Sequence, residues 1–268
     1  MEEIRIKDWD EFVSDIKANS SYAQNLRTDK DQYSYISTPL YRGQNNASWS
    51  LESTLNRIKP NLEVKKYFNL VGNIKPAVES FTLYKWDCVN AEKDLETFQR
   101  DEHFSMPIYP YLIHLRHHQF PSPLLDWTRS PYIAAFFAFN NAQTDVAIYM
   151  YMEYLGKGKS YWGDNARIHS MGPHVTAHRR HHLQQCEYTF SLSGINEKNQ
   201  FFSSHEEAFR QENKNHDLIK KYVIPFSEKK LFLAQLDCMN INSYSLFENE
   251  EGLMNKLANE WFIIKEHR

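Results

Sequence analysis

The stretch FPSPLLDWTRSPYIAAFFAFNN, residues 120–141, predicts a short strand followed by a helix. Pro121 and Pro123 end any helix before them, because proline lacks the amide hydrogen that a helix interior needs. Ser130 followed by Pro131 is typical of a helix start, since serine caps the first turn and proline fits the first helical position. The buried face of this helix is predicted from four apolar residues at helical spacing, Ile133, Ala134, Phe137 and Ala138.

On the N-terminal side of this stretch the pattern is mainly helical. Apolar side chains recur at helical spacing over 7–18, 90–103 and 108–118. One strand is predicted over 34–42. Pro39 within it favours an edge position in the sheet, because proline cannot donate a hydrogen bond to a neighbouring strand.

On the C-terminal side strands and helices are mixed. Strands are predicted over four segments, 145–152, 186–192, 219–225 and 244–247. Ser227 is expected to cap a helix, and a last helix is predicted over 250–260. The apolar side of the Ser227 helix is expected to hold Leu231, Leu233, Leu236 and Met239. Because helices and strands do not alternate regularly, the sequence predicts one α+β domain with a small mixed or antiparallel sheet and a largely helical N-terminal half.

The composition indicates a folded chain without a general affinity for polyanions. Aromatic residues make up 15% of the 268 residues, and the net charge is −3. The three cysteines lie far apart, so neither a disulfide framework nor a zinc ribbon is indicated. The charged N-terminus differs from a signal peptide, and no apolar run approaches the roughly 20 residues that span a bilayer. A cytoplasmic protein with no membrane partner is therefore expected.

Histidines are concentrated in the middle of the chain. The pairs His114/His118 and His174/His178 are four residues apart, so each could chelate a metal ion from one helical face. No carboxylate completes either pair, and Arg179 beside the second pair would repel a cation. We therefore expect no metal. The segment HVTAHRRHHLQQ, residues 174–185, is expected to face an anion, with Arg179 as a contact, or a nucleic acid with aromatic residues nearby for stacking.

The common catalytic and nucleotide-binding motifs are absent from the sequence. It contains no G-x-S-x-G elbow, no G-x-x-x-x-G-K-[ST] loop and no G-x-G-x-x-G fingerprint. Hydrolases built on a nucleophile elbow and the usual P-loop or Rossmann sites are therefore not supported.

Three other segments carry residues suited to a site. PLYRGQNNASW, residues 39–49, places one of only 8 glycines directly after Arg42. Gly43 indicates either a turn or a close approach of the backbone to something bound. In LLDWT, residues 124–128, Asp126 and Thr128 lie before a helix start, where anions are favoured, or they merely form a capping turn over a buried tryptophan. SLFENEEGL, residues 245–253, is acidic, as helix starts commonly are.

In their order along the chain these segments resemble the FRG domain family. LYRGQNNASWSLESTLNR is similar to its opening Arg-Gly-Gln motif, and EKDLETFQR to its next helix. LRHHQFPSPLLDWTRSPYIAAFFAF resembles its Leu-Leu-Asp-Trp-Thr segment with the aromatic helix that follows. RRHHLQQCEYTF and SLFENEEGL are similar to its later motifs. The resemblance implies one domain over 37–260, leaving a helical lead-in over 1–36 and a C-terminal tail over 261–268.

The sequence departs from this family pattern at several positions. Arg116 replaces the usual Gln, Gln119 replaces Gly, Ser122 replaces Thr and Pro123 replaces Arg. In the closing motif, Glu248 and Asn249 replace Pro and Asp. The arginine lost at Pro123 puts any anion contact from that point in doubt.

A second pattern is similar to mono-ADP-ribosyltransferases, in which an Arg on a first strand, a Ser/Thr strand and a late Glu form the site. The likeness implies that Arg42, with Gly43 and Gln44, grips NAD. Trp127, Thr128 and Ser130 would then support the site, and Glu251 would be the catalytic carboxylate. A carboxylate there would stabilise the cationic ribose that forms when nicotinamide leaves.

Three functions are open at this point. The first is an NAD-consuming enzyme of the ADP-ribosyltransferase or NAD glycohydrolase type. The second is a non-catalytic module for a nucleotide or another phosphate-bearing ligand, with polymeric nucleic acid less favoured. The third is a hydrolase or nuclease that uses His117 with Asp126. We expect Arg42, His117, Asp126, Thr128 and Glu251 to converge on one cleft, with His117 as the partner of Asp126. No protein partner is indicated.

Overall fold

The computed structural model describes residues 1–28, 37–87, 107–153, 166–194, 199–211 and 217–265. The strands are β1 (Glu2–Arg5), β2 (Leu40–Gln44), β3 (Leu125–Thr128), β4 (Val146–Glu153), β5 (Arg167–Ser170), β6 (Cys186–Ser193), β7 (Phe201–Phe202) and β8 (Asp217–Ile224). The first five helices are α1 (Trp9–Thr28), α2 (Thr54–Ile58), α3 (Val64–Thr82), α4 (Tyr109–His117) and α5 (Pro131–Phe139). The later helices are α6 (Arg180–Leu183), α7 (His205–Gln211), α8 (Lys229–Cys238), α9 (Ser243–Phe247) and α10 (Glu250–Asn259). A 3₁₀ turn precedes α8 and a π-helical turn follows α10.

The eight strands form one sheet, with the order β1-β8-β4-β2-β3-β6-β5 and β7 beside β6. The β1–β8 pair is parallel, and every other pair is antiparallel. This arrangement confirms the predicted α+β class. The segment before residue 37 contributes both a strand and a helix, because β1 pairs with the last strand of the sheet and α1 packs against its core.

Helices cover both faces of the sheet. On one face α1, α5 and α8 enclose an aromatic core in which the ring of Trp9 meets that of Phe232 edge to face at 4.9 Å. A second core lies on the same face, where α3 and α4 pack together around the buried rings of Tyr67 and Tyr111. The opposite face carries a third core around Trp127, against which α7 packs. Burying such rings supplies most of the free energy that holds the helices on the sheet. Among the described helices, none is both long enough and apolar enough to cross a membrane.

The chain around residues 120–141 folds largely as predicted. The helix α4 ends before the two prolines, and β3 follows them. Ser130 caps α5, since its hydroxyl accepts a hydrogen bond from the amide of Ile133. The helices predicted over 7–18 and 250–260 and the strands at 145–152, 186–192 and 219–225 are also present, with small shifts at their ends.

Several predictions were wrong. The strand near 34–42 is β2, which lies between β3 and β4 and not at an edge; Pro39 precedes its first residue and removes no hydrogen bond. Residues 243–247 form a helix and not a strand, because Asn242 and Ser245 make a capping box. The helix α8 starts at Lys229 and has no side-chain cap, so Ser227 does not cap it. The predicted helix at 90–103 lies outside the described residues.

The apolar side of α8 also differs from the prediction. Leu233 and Leu236 are buried, but Leu231 and Met239 are exposed, and Phe232 enters the core in their place. The helix begins one residue later than a cap at Ser227 implies, after the 3₁₀ turn, and Phe232 is buried because it packs against Trp9. The described residues also include α3, for which the sequence analysis predicted no helix.

Gly43 allows α5 to lie directly against β2. A β-carbon at this position would sit 2.1 Å from the carbonyl oxygen of Ala134 and 2.5 Å from the amide nitrogen of Ala138. Both contacts are with backbone atoms, which cannot rotate away, and the two alanines are themselves fully buried. The close approach that the sequence indicated at Gly43 is therefore to a helix and not to a ligand.

Replacing Gly43 with alanine should destabilise the protein by about 3 kcal/mol or more, because the new methyl group overlaps the backbone of α5. The matched control is Gly72→Ala in the middle of α3, where a β-carbon meets nothing within 4 Å. That change should stabilise the protein by about 0.5–1 kcal/mol, because alanine favours a helix over glycine. Urea unfolding of both variants measures the difference. Equal stabilities would show that α5 does not pack against β2 as described.

Candidate functional site

A cavity of about 240 Å³ opens where β2, β3, α4 and α5 meet. Its lining includes the charged, amide and imidazole side chains of Arg42, Asn45, Arg116, His117, Asp126 and Gln184. Asn45 fixes the end of β2 to α5, since its amide donates to the carbonyl oxygens of Phe137 and Ala138 at 2.9 Å. The cavity therefore has rigid walls on the strand and helix sides.

Arg42 reaches from β2 to β3 where these two strands separate. Their ladder pairs Tyr41 with Thr128, and beyond that pair the Arg42 guanidinium donates to the carbonyl oxygen of Asp126 at 2.6 Å. This hydrogen bond satisfies a backbone group that the ladder no longer reaches. Arg42 is therefore fixed in place by the strand beside it.

Asp126 forms its ion pair with Arg116. The two groups meet through two contacts, Nε to Oδ1 at 3.1 Å and Nη2 to Oδ2 at 2.8 Å, and the Arg116 side chain is only 15% exposed. Burial raises the pKa of Asp126, but attraction from Arg116 and then Arg42 outweighs it, so the pKa is lower than usual. In turn, Asp126 raises the pKa of Arg116. The predicted pairing of Asp126 with His117 was wrong.

Arg42 is a largely buried cation without a carboxylate of its own. Burial lowers its pKa to about 10, which still leaves it charged at neutral pH. Its Nε is buried and has no hydrogen-bond partner. Within the described ranges no Asp or Glu forms an ion pair with it, since Asp126 is already held by Arg116. Two guanidinium groups thus lie near a single carboxylate that only Arg116 contacts, and the lining of the cavity carries a net positive charge.

His117 lies beside Arg116 and Asp126, but it forms its hydrogen bond with another residue. Its Nε2 is 2.9 Å from the hydroxyl of Tyr188. Burial, followed by the nearby cations, lowers the pKa of His117 to about 4 despite the attraction of Asp126. The imidazole is therefore neutral at pH 7, and one of its nitrogens is already engaged.

The thiol of Cys186 also borders the cavity, but its surroundings make it unreactive. Burial raises its pKa to about 12, so it stays protonated at neutral pH. Beside it, Gln184 donates to the carbonyl oxygen of Leu246 at 3.0 Å and so ties the cavity wall to α9.

The residues next to Asp126 that were predicted to support the site form their hydrogen bonds with other groups of the protein. Trp127 and Thr128 border the cavity, and the indole of Trp127 donates to the hydroxyl of Thr189 at 2.7 Å. The hydroxyl of Thr128 accepts from the amide of Ser130 at 3.1 Å. Ser130 is the cap of α5 and lies outside the cavity lining.

Glu251 and Arg179 lie outside the cavity lining, so the expected convergence holds for four of the five residues and fails for Glu251. Glu251 is exposed in the first turn of α10, whose cap is Asn249. Arg179 is exposed and pairs with Glu248 through a contact of 3.3 Å. Arg179 precedes α6 and Glu251 lies in the first turn of α10, so the two residues belong to separate helix starts at the surface.

Two residues near the site were not predicted. Arg116 was noted only as a departure from the family motif, although the adjacent helix end and proline turn place it directly over Asp126. His205 is fully buried behind β6, with its Nε2 2.8 Å from the hydroxyl of Thr189. Burial and then repulsion from Arg42 lower the pKa of His205 to about 3. No local motif marked His205.

Metal binding receives no support from this arrangement. Within the parts of the chain that are described, no group of three or more His, Cys, Asp or Glu side chains could hold a metal ion. The rings of His114 and His118 lie 4.3 Å apart, and that of His178 is 6.5 Å from the ring of His117. The imidazole rings of these histidines therefore pack together beside the cavity.

The comparison with protein families agrees with the motifs found in the sequence. Residues 37–146 match the family model described as FRG domain. This part of the chain is therefore similar to the FRG domain. The match covers less than half of the chain and includes Arg42, Arg116 and Asp126, whereas Gln184 lies beyond it. No curated protein and no solved structure matches the chain.

The ion pair between Arg116 and Asp126 should show clear energetic coupling. We expect a double-mutant cycle of Arg116→Met with Asp126→Asn to give about 1–3 kcal/mol, because each single change leaves the other partner poorly solvated. Urea unfolding of the four proteins measures it. The cycle of Asp126→Asn with His117→Ala should give less than about 0.5 kcal/mol, since those side chains are not hydrogen-bonded.

A control cycle uses the exposed pair of Arg179 and Glu248, whose side chains are 59% and 46% exposed. Arg179→Met with Glu248→Gln should couple by less than about 1 kcal/mol, as surface pairs do. Coupling at the cavity pair no larger than in this control would contradict the assigned partnership.

Proposed function

We propose that the cavity beside Arg42 binds the anionic group of a phosphate-bearing ligand, of the nucleotide class, without acting on it chemically. The observation that carries this proposal is the charge balance around Asp126. Two guanidinium groups face one carboxylate, Arg116 holds that carboxylate, and Arg42 keeps a buried nitrogen without a partner. An anionic ligand would supply the missing countercharge.

Arg42 is a cation that is largely removed from water. A charge away from water is destabilising unless an opposite charge and hydrogen bonds compensate for it. A guanidinium matches the oxygens of phosphate well, because its planar N–H groups can bind two oxygens at once. Arg42 is therefore better placed to receive a phosphate than to serve as a structural ion pair.

The positions and bonding of the candidate catalytic groups favour a site that binds a ligand over one that reacts with it. Glu251 is exposed and outside the cavity lining, and Asp126 is engaged by Arg116. His117 is bonded to Tyr188, and the thiol of Cys186 stays protonated. NAD remains a candidate ligand because it carries phosphates, but the proposal expects NAD to be bound and released intact.

The test is calorimetric titration of the full chain with inorganic phosphate, AMP and NAD. Arg42→Gln should weaken AMP binding by roughly 10- to 100-fold, since a hydrogen bond to a charged group contributes about 1.5–3 kcal/mol. Arg179→Gln is the matched control, because it removes an exposed arginine outside the cavity lining and should leave affinity unchanged. Circular dichroism of each variant checks its folding.

Three results would oppose the proposal. The first is that none of the three ligands binds. The second is that Arg42→Gln and Arg179→Gln weaken binding equally. The third is release of nicotinamide from NAD that stops in a Glu251→Gln variant, which would restore the enzymatic interpretation. Adenosine, which lacks the phosphate, gives a comparison that does not depend on any variant folding.

A further inference from the structure

A second cavity, of about 440 Å³, adjoins the first one at Arg42. It lies under the loop that follows β2, and the two cavities share the wall formed by Arg42, Gly43 and Asn45. Its other side chains include Gln44, Trp49 and Arg57. Its volume is within the roughly 300–1,000 Å³ typical of small-molecule sites.

Gln44 brings an unsatisfied hydrogen-bond acceptor to this cavity. The residue is only 8% exposed, and its amide nitrogen donates to the carbonyl oxygen of Ser50 at 3.2 Å. Its Oε1 is buried and has no partner in the described structure. A buried acceptor without a hydrogen bond destabilises the folded protein. A ligand that donates a hydrogen bond to it would remove this cost.

Trp49 offers an open aromatic surface beside this acceptor. Its side chain is half exposed, whereas its backbone is fixed, because its amide donates to Asn46 at 3.3 Å and its carbonyl accepts from Tyr149 at 3.3 Å. Among the described residues no other aromatic ring stacks on it. An exposed ring on a fixed backbone, with no other ring stacked on it, is available for stacking by a planar ligand.

Together these features select a class of ligand. The ring must be planar in order to stack on Trp49, and its edge must carry an N–H donor for the Oε1 of Gln44. The same ligand must carry an anion if it reaches Arg42. An amino-bearing nucleobase attached to a phosphate meets all three requirements, because its exocyclic amino group is a donor at the edge of a planar ring.

We infer that the second cavity holds the amino-bearing base of a nucleotide whose phosphate lies at Arg42. The base stacks on Trp49, and its amino group donates to Gln44. This inference rests on the proposed function for the phosphate, but it assigns recognition of the base to different residues. Gln44 is therefore the specificity-determining residue of the site.

The experiment compares AMP with purine riboside 5′-monophosphate, which differs only by lacking the amino group. The wild-type chain should bind AMP about tenfold more tightly, because only AMP satisfies Gln44. In Gln44→Met, which removes the acceptor, the two ligands should bind equally. Trp49→Ala should weaken both ligands by at least about fivefold, whereas Trp261→Ala, at another exposed tryptophan outside both cavity linings, should not.

The outcomes separate this inference from the proposed function. If AMP binding depends on Arg42 but the two nucleotides bind wild type equally, the phosphate site stands and the base site is overturned. If adenosine binds in a Trp49-dependent manner while phosphate makes no contribution, the base site stands and the phosphate site fails. The comparison of two ligands on the wild-type chain requires no variant to fold, so a misfolded Gln44→Met protein would not leave the inference untested.

Discussion

Asp126 has one carboxylate, two guanidinium groups face it, and the ion pair is formed with Arg116. Arg42 receives only the backbone carbonyl of the same residue. This unequal division sets the character of the whole cavity, because it satisfies the aspartate and leaves a buried cation. The negative charge of Asp126 is thereby committed to Arg116.

The packing of α5 on β2 makes this arrangement rigid. Gly43 lets the backbone of the helix approach the strand, and Asn45 donates to carbonyl groups near the C-terminal end of the same helix. On β2, Arg42 directly precedes these two anchors, and its guanidinium is held by the carbonyl oxygen of Asp126. The Arg-Gly-Gln motif therefore has divided roles: the glycine serves the fold, and the flanking arginine and glutamine face the two cavities.

Local sequence signals predicted the elements well where the chain carries its own start and stop signals, as at Ser130 and the prolines before β3. They failed where the structure of a segment is decided by contacts with residues far away in the sequence. The central place of β2 depends on its long pairing with β4, and residues 243–247 resemble a strand until the capping box of Asn242 is recognised. The site was only partly predictable for the same reason. The residues near Asp126 are local, whereas the choice of Arg116 over His117 depends on how the end of α4 lies over β3.

The departures from the family motif also acquire a physical meaning. The arginine lost at Pro123 is balanced by one gained at Arg116, which supplies the guanidinium that holds Asp126. Arg116 lies at the end of α4, and the positive charge of the cavity comes from it together with Arg42. A motif comparison alone scores these positions as two mismatches.

The most direct test of this account is the nuclear magnetic resonance signal of the Nε–H group of Arg42, assigned by its absence from an Arg42→Lys variant. We predict that saturation with AMP shifts this proton downfield and slows its exchange with water, because a group without a partner gains an acceptor. If AMP saturates the protein while this signal neither moves nor gains protection, Arg42 is not the anion site, and the central claim is wrong.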